Sequence, residues 1–315
     1  MRFGKLTFVQ NLKSLTADLE GSAVSIGSFD GVHLGHQAVL TELIQQAKSN
    51  GLFSVAMTFE PQPREYFNEL RAPARLMRLR EKVEVLSSLG IDQIVCLKFN
   101  KALRALSAQD FIIRVLVEGL RVRHLIVGDD FRFGCDRSGD FSMLNEYGKA
   151  NGFSVKNTDT CESHGERISS TLVRRTISEG DFPRAAELLG RPFEIKGRVM
   201  HGKKLGRKLG FPTANININR LRAPLSGVYA VLVKTESEIF EGAANIGIRP
   251  TIGDLERPLL EVHIFNFDRD IYGSFLSVEF LHKIRDEFKF SDLGRLATRI
   301  QKDMDQIQKW FMTER

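Results

Sequence analysis

The chain has 315 residues, 42% of them hydrophobic and 27% charged, which is enough for two globular domains with real cores and no covalent staples. Three cysteines, Cys96, Cys135 and Cys161, stand far apart and in no Cys-x-x-Cys spacing, arguing against a disulfide framework or zinc knuckle and for a reducing cytoplasm. A formal charge of +6 suits nucleic acid and small phosphorylated ligands equally; no apolar window reaches ~18 residues and no signal-peptide core is visible, so neither export nor a membrane span is expected.

"AVSIG" (23–27) reads as a short buried strand, and "HQAVLTELIQQAKSNG" (36–51) as a helix with Leu40, Leu43, Ile44 and Ala47 on one face and Asn50-Gly51 as its stop. "LFSVAMTF" (52–59) is again strand-like. Right-handed crossover makes this a βαβ unit, with its first turn at the carboxyl edge of a parallel sheet, where ligands bind. The alternation continues with a helix near 79–89, a strand at 93–99, a helix at 108–118 opened by Ser107 with Asp110 three later, and a strand at 124–128. A helix beginning near Ser169 and a short one after Asp181 complete a doubly wound α/β domain. From Phe193 the pattern changes to runs of β-formers between Gly/Pro-rich loops, which predicts a small antiparallel β-barrel. The segment 291–312 places Leu293, Leu296, Ile300, Met304, Ile307 and Phe311 at three- and four-residue steps, an amphipathic helix packed on the barrel.

The turn "GSFDGVHLGH" (27–36) carries the first chemistry. Gly27, Gly31 and Gly35 allow close backbone approach, and a helix N-terminus at Gly35-His36 favours an anion. Zinc needs at least three protein ligands, and no supporting spacing occurs beside His33 and His36. Two imidazoles next to a phosphate instead donate hydrogen bonds as charge redistributes in a transition state. A P-loop near miss at "GRVMHGKK" (197–204) ends in Lys204 rather than Ser or Thr and has no helix after it, so it is rejected. The stretch "HGKKLGRKLGFPTANI" (201–216) combines four basic residues, three glycines and "PTAN", the make-up of a phosphate-covering loop leading to a fixed metal ligand.

"HLGH" at a first βα turn resembles the signature of adenylyl-transferring nucleotidyltransferases, and "RISSTLVRR" (167–175) resembles that superfamily's second phosphate signature. Together with "TFEPQP" (58–63) and "VGDDFRFGCDRSGD" (127–140), these motifs resemble, in order, the bacterial bifunctional riboflavin kinase/FAD synthetase family; Ser28 stands where that family commonly has Asn. "GVYA" (227–230), "NIGIRPT" (245–251), "EVHIFNFDRDIYG" (261–273) and "IRDEFKF" (284–290) resemble its kinase module, so the resemblance covers nearly the whole chain.

The resemblance implies a Rossmann-like nucleotidyltransferase domain over 1–186, which turns FMN and ATP into FAD and pyrophosphate. It also implies a β-barrel riboflavin kinase domain with a C-terminal helix over 187–315, which turns riboflavin and ATP into FMN and ADP. His33, His36 and Glu261 become the catalytic residues, Glu261 as base on the ribityl 5′-hydroxyl. Gly27, Phe29, Asp30, Gly35, Ser169, Ser170, Thr171, Arg174, Gly202, Lys204, Gly206 and Asn215 become ATP or phosphate residues. Thr213 and Asn215 become Mg²⁺ ligands, and Phe59, Asp130, Phe133 and Arg285 become flavin residues. Core packing is the competing reading for each phenylalanine, and a salt bridge for Arg285. Two other functions fit the composition: an adenylyltransferase for another phosphorylated acceptor, and a basic nucleic-acid-binding protein with steeply salt-dependent affinity. Small-molecule partners only, without nucleic acid or membrane, are expected in the cytoplasm.

Overall fold

A computed structural model describes residues 5–9, 21–128, 130–158, 160–202, 206, 209–249, 257–288 and 292–314. The chain divides into two compact units, one drawn from 1–73 and 79–169, the other from 74–78 and 170–315.

The first unit contains β1 (Lys5–Val9), β2 (Ser22–Ile26), α1 (Leu34–Ser49), β3 (Phe53–Glu60), α2 (Pro63–Phe67), α3 (Leu79–Ser88), β4 (Gln93–Lys98) and α4 (Lys101–Arg104). Helix α5 follows, opening at Ala108–Asp110 and continuing as π-helical Phe111–Gly119; then come β5 (Val122–Val127), α6 (Phe141–Asn151), β6 (Ser154–Asn157) and the small hairpin β7 (Glu162–Ser163) and β8 (Glu166–Arg167). Six strands form one parallel sheet in the order β1-β4-β3-β2-β5-β6. All five residues of β2 are buried, as expected of a strand covered on both faces. The direction of winding reverses between β2 and its neighbours β3 and β5, which opens a crevice beyond their carboxyl ends.

Local caps lie where the sequence calls for them. Ser107 Oγ accepts from the Asp110 amide at 2.9 Å, and Asn50 followed by Gly51 at φ 64° ends α1. The edge strands β1 and β6 and helix α6 were not anticipated. β6, "SVKN", is largely exposed and carries no apolar run from which to read it.

The second unit contains α7 (Ser170–Glu179), α8 (Phe182–Leu189), β9 (Glu194–Met200), β10 (Ala214–Asn217), β11 (Gly227–Lys234), β12 (Ile239–Arg249), β13 (Arg257–Ile264), β14 (Phe275–Arg285) and α9 (Leu293–Glu314). Its six strands close into an antiparallel barrel in the order β10-β13-β12-β11-β14-β9. Closure leaves no free sheet edge. The 186/187 boundary read from the sequence falls inside α8, whereas both α7 and α8 cluster with the barrel. Phe182 of α8 packs against Tyr229 and Phe280, which accounts for that grouping. Ile307 and Phe311 of α9 are buried against Val228, Ala230, Leu232 and Ala243 on the barrel's outer face.

Candidate active sites

The first site is built on the turn between β2 and α1. Phe29 (φ 45°), Gly31 (φ 85°) and Val32 (φ 39°) all take positive φ, and for a β-branched valine this is strained backbone. Such a conformation persists only when its surroundings enforce it. Gln37 Nε2 donates to the Val32 carbonyl at 2.8 Å, the Gly27 amide donates to the Met57 carbonyl at 3.0 Å, and Phe29 and Asp30 are both buried.

His33 is the N-cap of α1 and its Nδ1 accepts from the His36 amide at 3.3 Å. An accepting Nδ1 leaves the proton on Nε2, so the ring presents an N–H on its other side. The two imidazoles stack with centroids 3.7 Å apart, and Phe29 meets His36 edge-on at 5.4 Å. Burial pushes the His36 imidazole well below its usual value, and the neighbouring charges of His33 and Lys82 push the same way, so His36 is neutral. Gly35 sits in a tight place: a Cβ there would lie 3.2 Å from the His33 ring and 3.3 Å from the Ile168 carbonyl, so either neighbour would have to give by a few tenths of an ångström. The chain leading to Ser169 therefore crosses directly over the histidine turn.

Two polar atoms among the described residues stand out at this sheet edge. His36 Nδ1 and Gln62 Nε2, the latter just past β3, are buried without a hydrogen-bond partner. Unpaired buried polar groups are rare, and a ligand phosphate or its water would satisfy them.

Of the expected flavin residues in this unit, Phe59 is half-buried at the end of β3 and meets Phe99 edge-on at 6.0 Å. Asp130 is exposed in the turn after β5, on the same carboxyl edge. Phe133 is 6% exposed and belongs to the core with Phe111 and Phe131, as the competing reading had it. In the second unit, Ser170 opens α7 with Thr171 exposed beside it, and Arg174 Nε donates to the Ala74 carbonyl at 2.6 Å.

The barrel site rests on strand register. Asn215 of β10 pairs with Glu261 of β13, and Glu261 pairs on its other side with Asn245 of β12. Directly opposed residues share a face, so Asn215, Glu261 and Asn245 form one polar rung on the outer surface. The unit has two cavities, and two rung residues, Glu261 and Asn245, line the smaller. One, of about 190 Å³, is lined by Thr213, Asn245, Glu261, His263 and Arg285 together with Leu296, Ile300 and Met304 of α9. The other, of about 520 Å³, is lined by Thr213, Ala214 and the 267–272 turn. Thr213 lines both.

Glycines make room for this arrangement. A Cβ at Gly202 would overlap the Asn215 amide, and one at Gly206 would overlap the Phe211 carbonyl and crowd Thr213 Oγ1. Lys204 lies outside the described residues. His263 Nδ1 donates to the Pro212 carbonyl at 2.7 Å, which anchors the segment before Thr213.

Arg285 is held by a salt bridge, the competing reading for this residue. Its Nε and Nη2 donate to Asp303 at 2.6–3.0 Å, Nη1 donates to the Asp286 carbonyl, and Arg299 also donates to Asp303. Asp303, 1% exposed, thus ties α9 to β14 beside the smaller cavity. Sequence reasoning missed Asp303 and Asn245, both of which depend on pairings distant in the chain. It read the apolar face of α9 as core, whereas Leu296, Ile300 and Met304 also wall the cavity.

Comparison with known proteins agrees with this division. A family model described as FAD synthetase matches residues 15–172, and one described as riboflavin kinase matches 189–311. The bifunctional riboflavin kinase/FMN adenylyltransferase of Pseudomonas fluorescens is 47% identical over 299 residues, covering 95% of this chain and 96% of the relative. That of Haemophilus influenzae is 46% identical over 307 residues, covering 97% and 99%. A crystal structure described as a macrolide-efflux protein from Streptococcus pneumoniae superposes with a TM-score of 0.78 at 29% identity, covering 97% of this chain and 99% of that one. Efflux is the description of that protein; here no helix among the described residues is long and apolar enough to cross a membrane. Two family models in tandem on a parallel-sheet unit and a closed barrel, with relatives matched from end to end, lead to one conclusion: the chain belongs to the bifunctional riboflavin kinase/FMN adenylyltransferase family.

Proposed function

We propose that the family's two activities are divided along the chain, FMN adenylylation over 1–186 and riboflavin phosphorylation over 187–315, and that the residues named above carry them. The observation that supports the kinase half is the Asn215–Glu261–Asn245 rung, of which Glu261 and Asn245 line the smaller cavity, with Thr213 lining both cavities. Riboflavin enters the smaller cavity against the apolar wall of α9, and ATP takes the larger. Glu261 accepts the proton of the ribityl 5′-hydroxyl as its oxygen forms a bond to the γ-phosphorus and the bond to ADP breaks. Thr213 and Asn215 offer oxygen donors of the kind Mg²⁺ prefers and would hold it, where it would supply charge neutralisation for the nucleotide phosphates. Asp303 keeps Arg285 in the cavity wall.

In the adenylyltransferase half, a phosphate oxygen of FMN attacks the α-phosphorus of ATP and pyrophosphate leaves. Gly27, Phe29, Asp30 and Gly35 shape the turn that receives the phosphates, and Ser169, Ser170, Thr171 and Arg174 form the second phosphate segment. His33, through Nε2, and the neutral His36 donate hydrogen bonds to the charge developing on the phosphate oxygens, with no covalent intermediate. Phe59 and Asp130 border the flavin, and Phe133 supports them from the core. The excess positive charge serves nucleotide phosphates, and the enzyme works in the cytoplasm on small molecules.

Glu261→Gln tests the assignment. It is expected to stop FMN formation from riboflavin while supplied FMN is still converted to FAD; loss of both reactions in a folded variant, or of neither, contradicts it.

A further inference from the structure

Lys82, on the first half of α3, is 1% exposed and among the largest wholly buried side chains of the molecule. Lysine is almost never fully buried without a specific reason, because its ammonium is strongly hydrated in water. Nζ donates to the Ser28 carbonyl at 2.5 Å and reaches Thr58 Oγ1, at the end of β3, at 3.5 Å. Ser28 is the residue immediately before Phe29, where the strained run of positive φ begins. Gln37 grips the far end of the same run through the Val32 carbonyl at 2.8 Å. The strained segment is therefore held at both ends by side chains from α3 and α1.

We propose that Lys82 is a positioning residue for adenylyl transfer: its buried ammonium, bonded to the Ser28 carbonyl, fixes the 28–32 turn in the conformation that receives the ATP phosphates. The proposal rests on the reading of that turn as the ATP site. A charge-assisted bond to a carbonyl is the stronger kind, and it draws the carbonyl oxygen toward α3, away from an incoming phosphate. The ammonium also places a fixed positive charge beneath the site. Its charge adds, after burial and His33, to the influences that lower the His36 imidazole.

The test is steady-state adenylylation by the full-length chain, with ATP and FMN varied separately, for Lys82→Met and Lys82→Arg. Lys82→Met is expected to raise KM for ATP by roughly ten- to a hundredfold, as loss of a charged hydrogen bond would. KM for FMN stays within about twofold, and Lys82→Arg, which keeps charge and donors, recovers part of the loss. Should Lys82→Met fail to fold, Thr58→Val removes only the tether to β3 and is expected to give the same ATP-selective rise at two- to threefold. An unchanged KM for ATP, or equal rises for ATP and FMN, would overturn the proposal. His33→Ala/His36→Ala in parallel separates the two claims: if that variant adenylylates normally, the ATP-site reading has failed, whatever Lys82 does.

Discussion

The turn at 27–36 leaves β2 with Phe29 and Val32 in strained backbone and is clamped by side chains from two helices, whereas Asn215, Glu261 and Asn245 sit on one rung of regular antiparallel strands. Both arrangements are proposed here to serve phosphorus transfer. In the first, precision comes from a backbone that the surroundings must hold away from its preferred conformation. In the second, it comes from sheet register, where every hydrogen bond of the barrel helps to fix the side chains. The strained site is thus sensitive to its distant clamps, and the barrel site to the groups that touch the rung and to the helix that walls it.

Substitutions should break the comparison at its strongest points. Glu261→Gln should lower riboflavin phosphorylation by roughly a hundred- to ten-thousandfold, the usual contribution of a general base, with FMN adenylylation intact by chromatography. His33→Ala/His36→Ala should lower FAD formation by roughly a hundred- to a thousandfold while FMN accumulates. Asp303→Ala should cost about 3–5 kcal/mol in urea unfolding, because it removes the buried carboxylate that pairs with Arg285, whose side chain is only 11% exposed, and with Arg299. Gly202→Ala should be milder, at about 1–3 kcal/mol in the barrel, since the new Cβ must displace the Asn215 amide.

The smallest effect sharpens the comparison through pH. The folded-state pKa of His36 lies well below 6.5, so between that value and 6.5 the unfolded chain binds more protons than the folded one. Stability contributed by neutral His36 is complete above 6.5 and is lost as pH falls through the folded value. Urea midpoints at pH 7 and pH 5 should therefore differ less for His36→Asn than for the native chain; equal differences would show that His36 does not titrate in this way.

The contrast also governs what the sequence discloses. The β2–α1–β3 unit, the Ser107 cap and the final helix are legible because each depends on signals within a few residues. His33 and His36 stand out for the same reason: glycines, imidazoles and a helix start are contiguous. Lys82 is hidden, since "LREKVEVLSS" reads as an ordinary helix with a charged face and nothing nearby marks its lysine as buried. Asn245 gains meaning only through pairing with Glu261 sixteen residues on, and Asp303 only through Arg285 on another element. Glu261 itself was reached by resemblance, because a lone glutamate in a strand carries no local signal.

The most direct test of a divided chain is to follow riboflavin, FMN and FAD by chromatography with Glu261→Gln alone, His33→Ala/His36→Ala alone, and an equimolar mixture of the two. The account predicts unreacted riboflavin with the first, FMN without FAD with the second, and FAD with the mixture. FAD from riboflavin with either variant alone, or loss of both half-reactions in each folded variant, would contradict it.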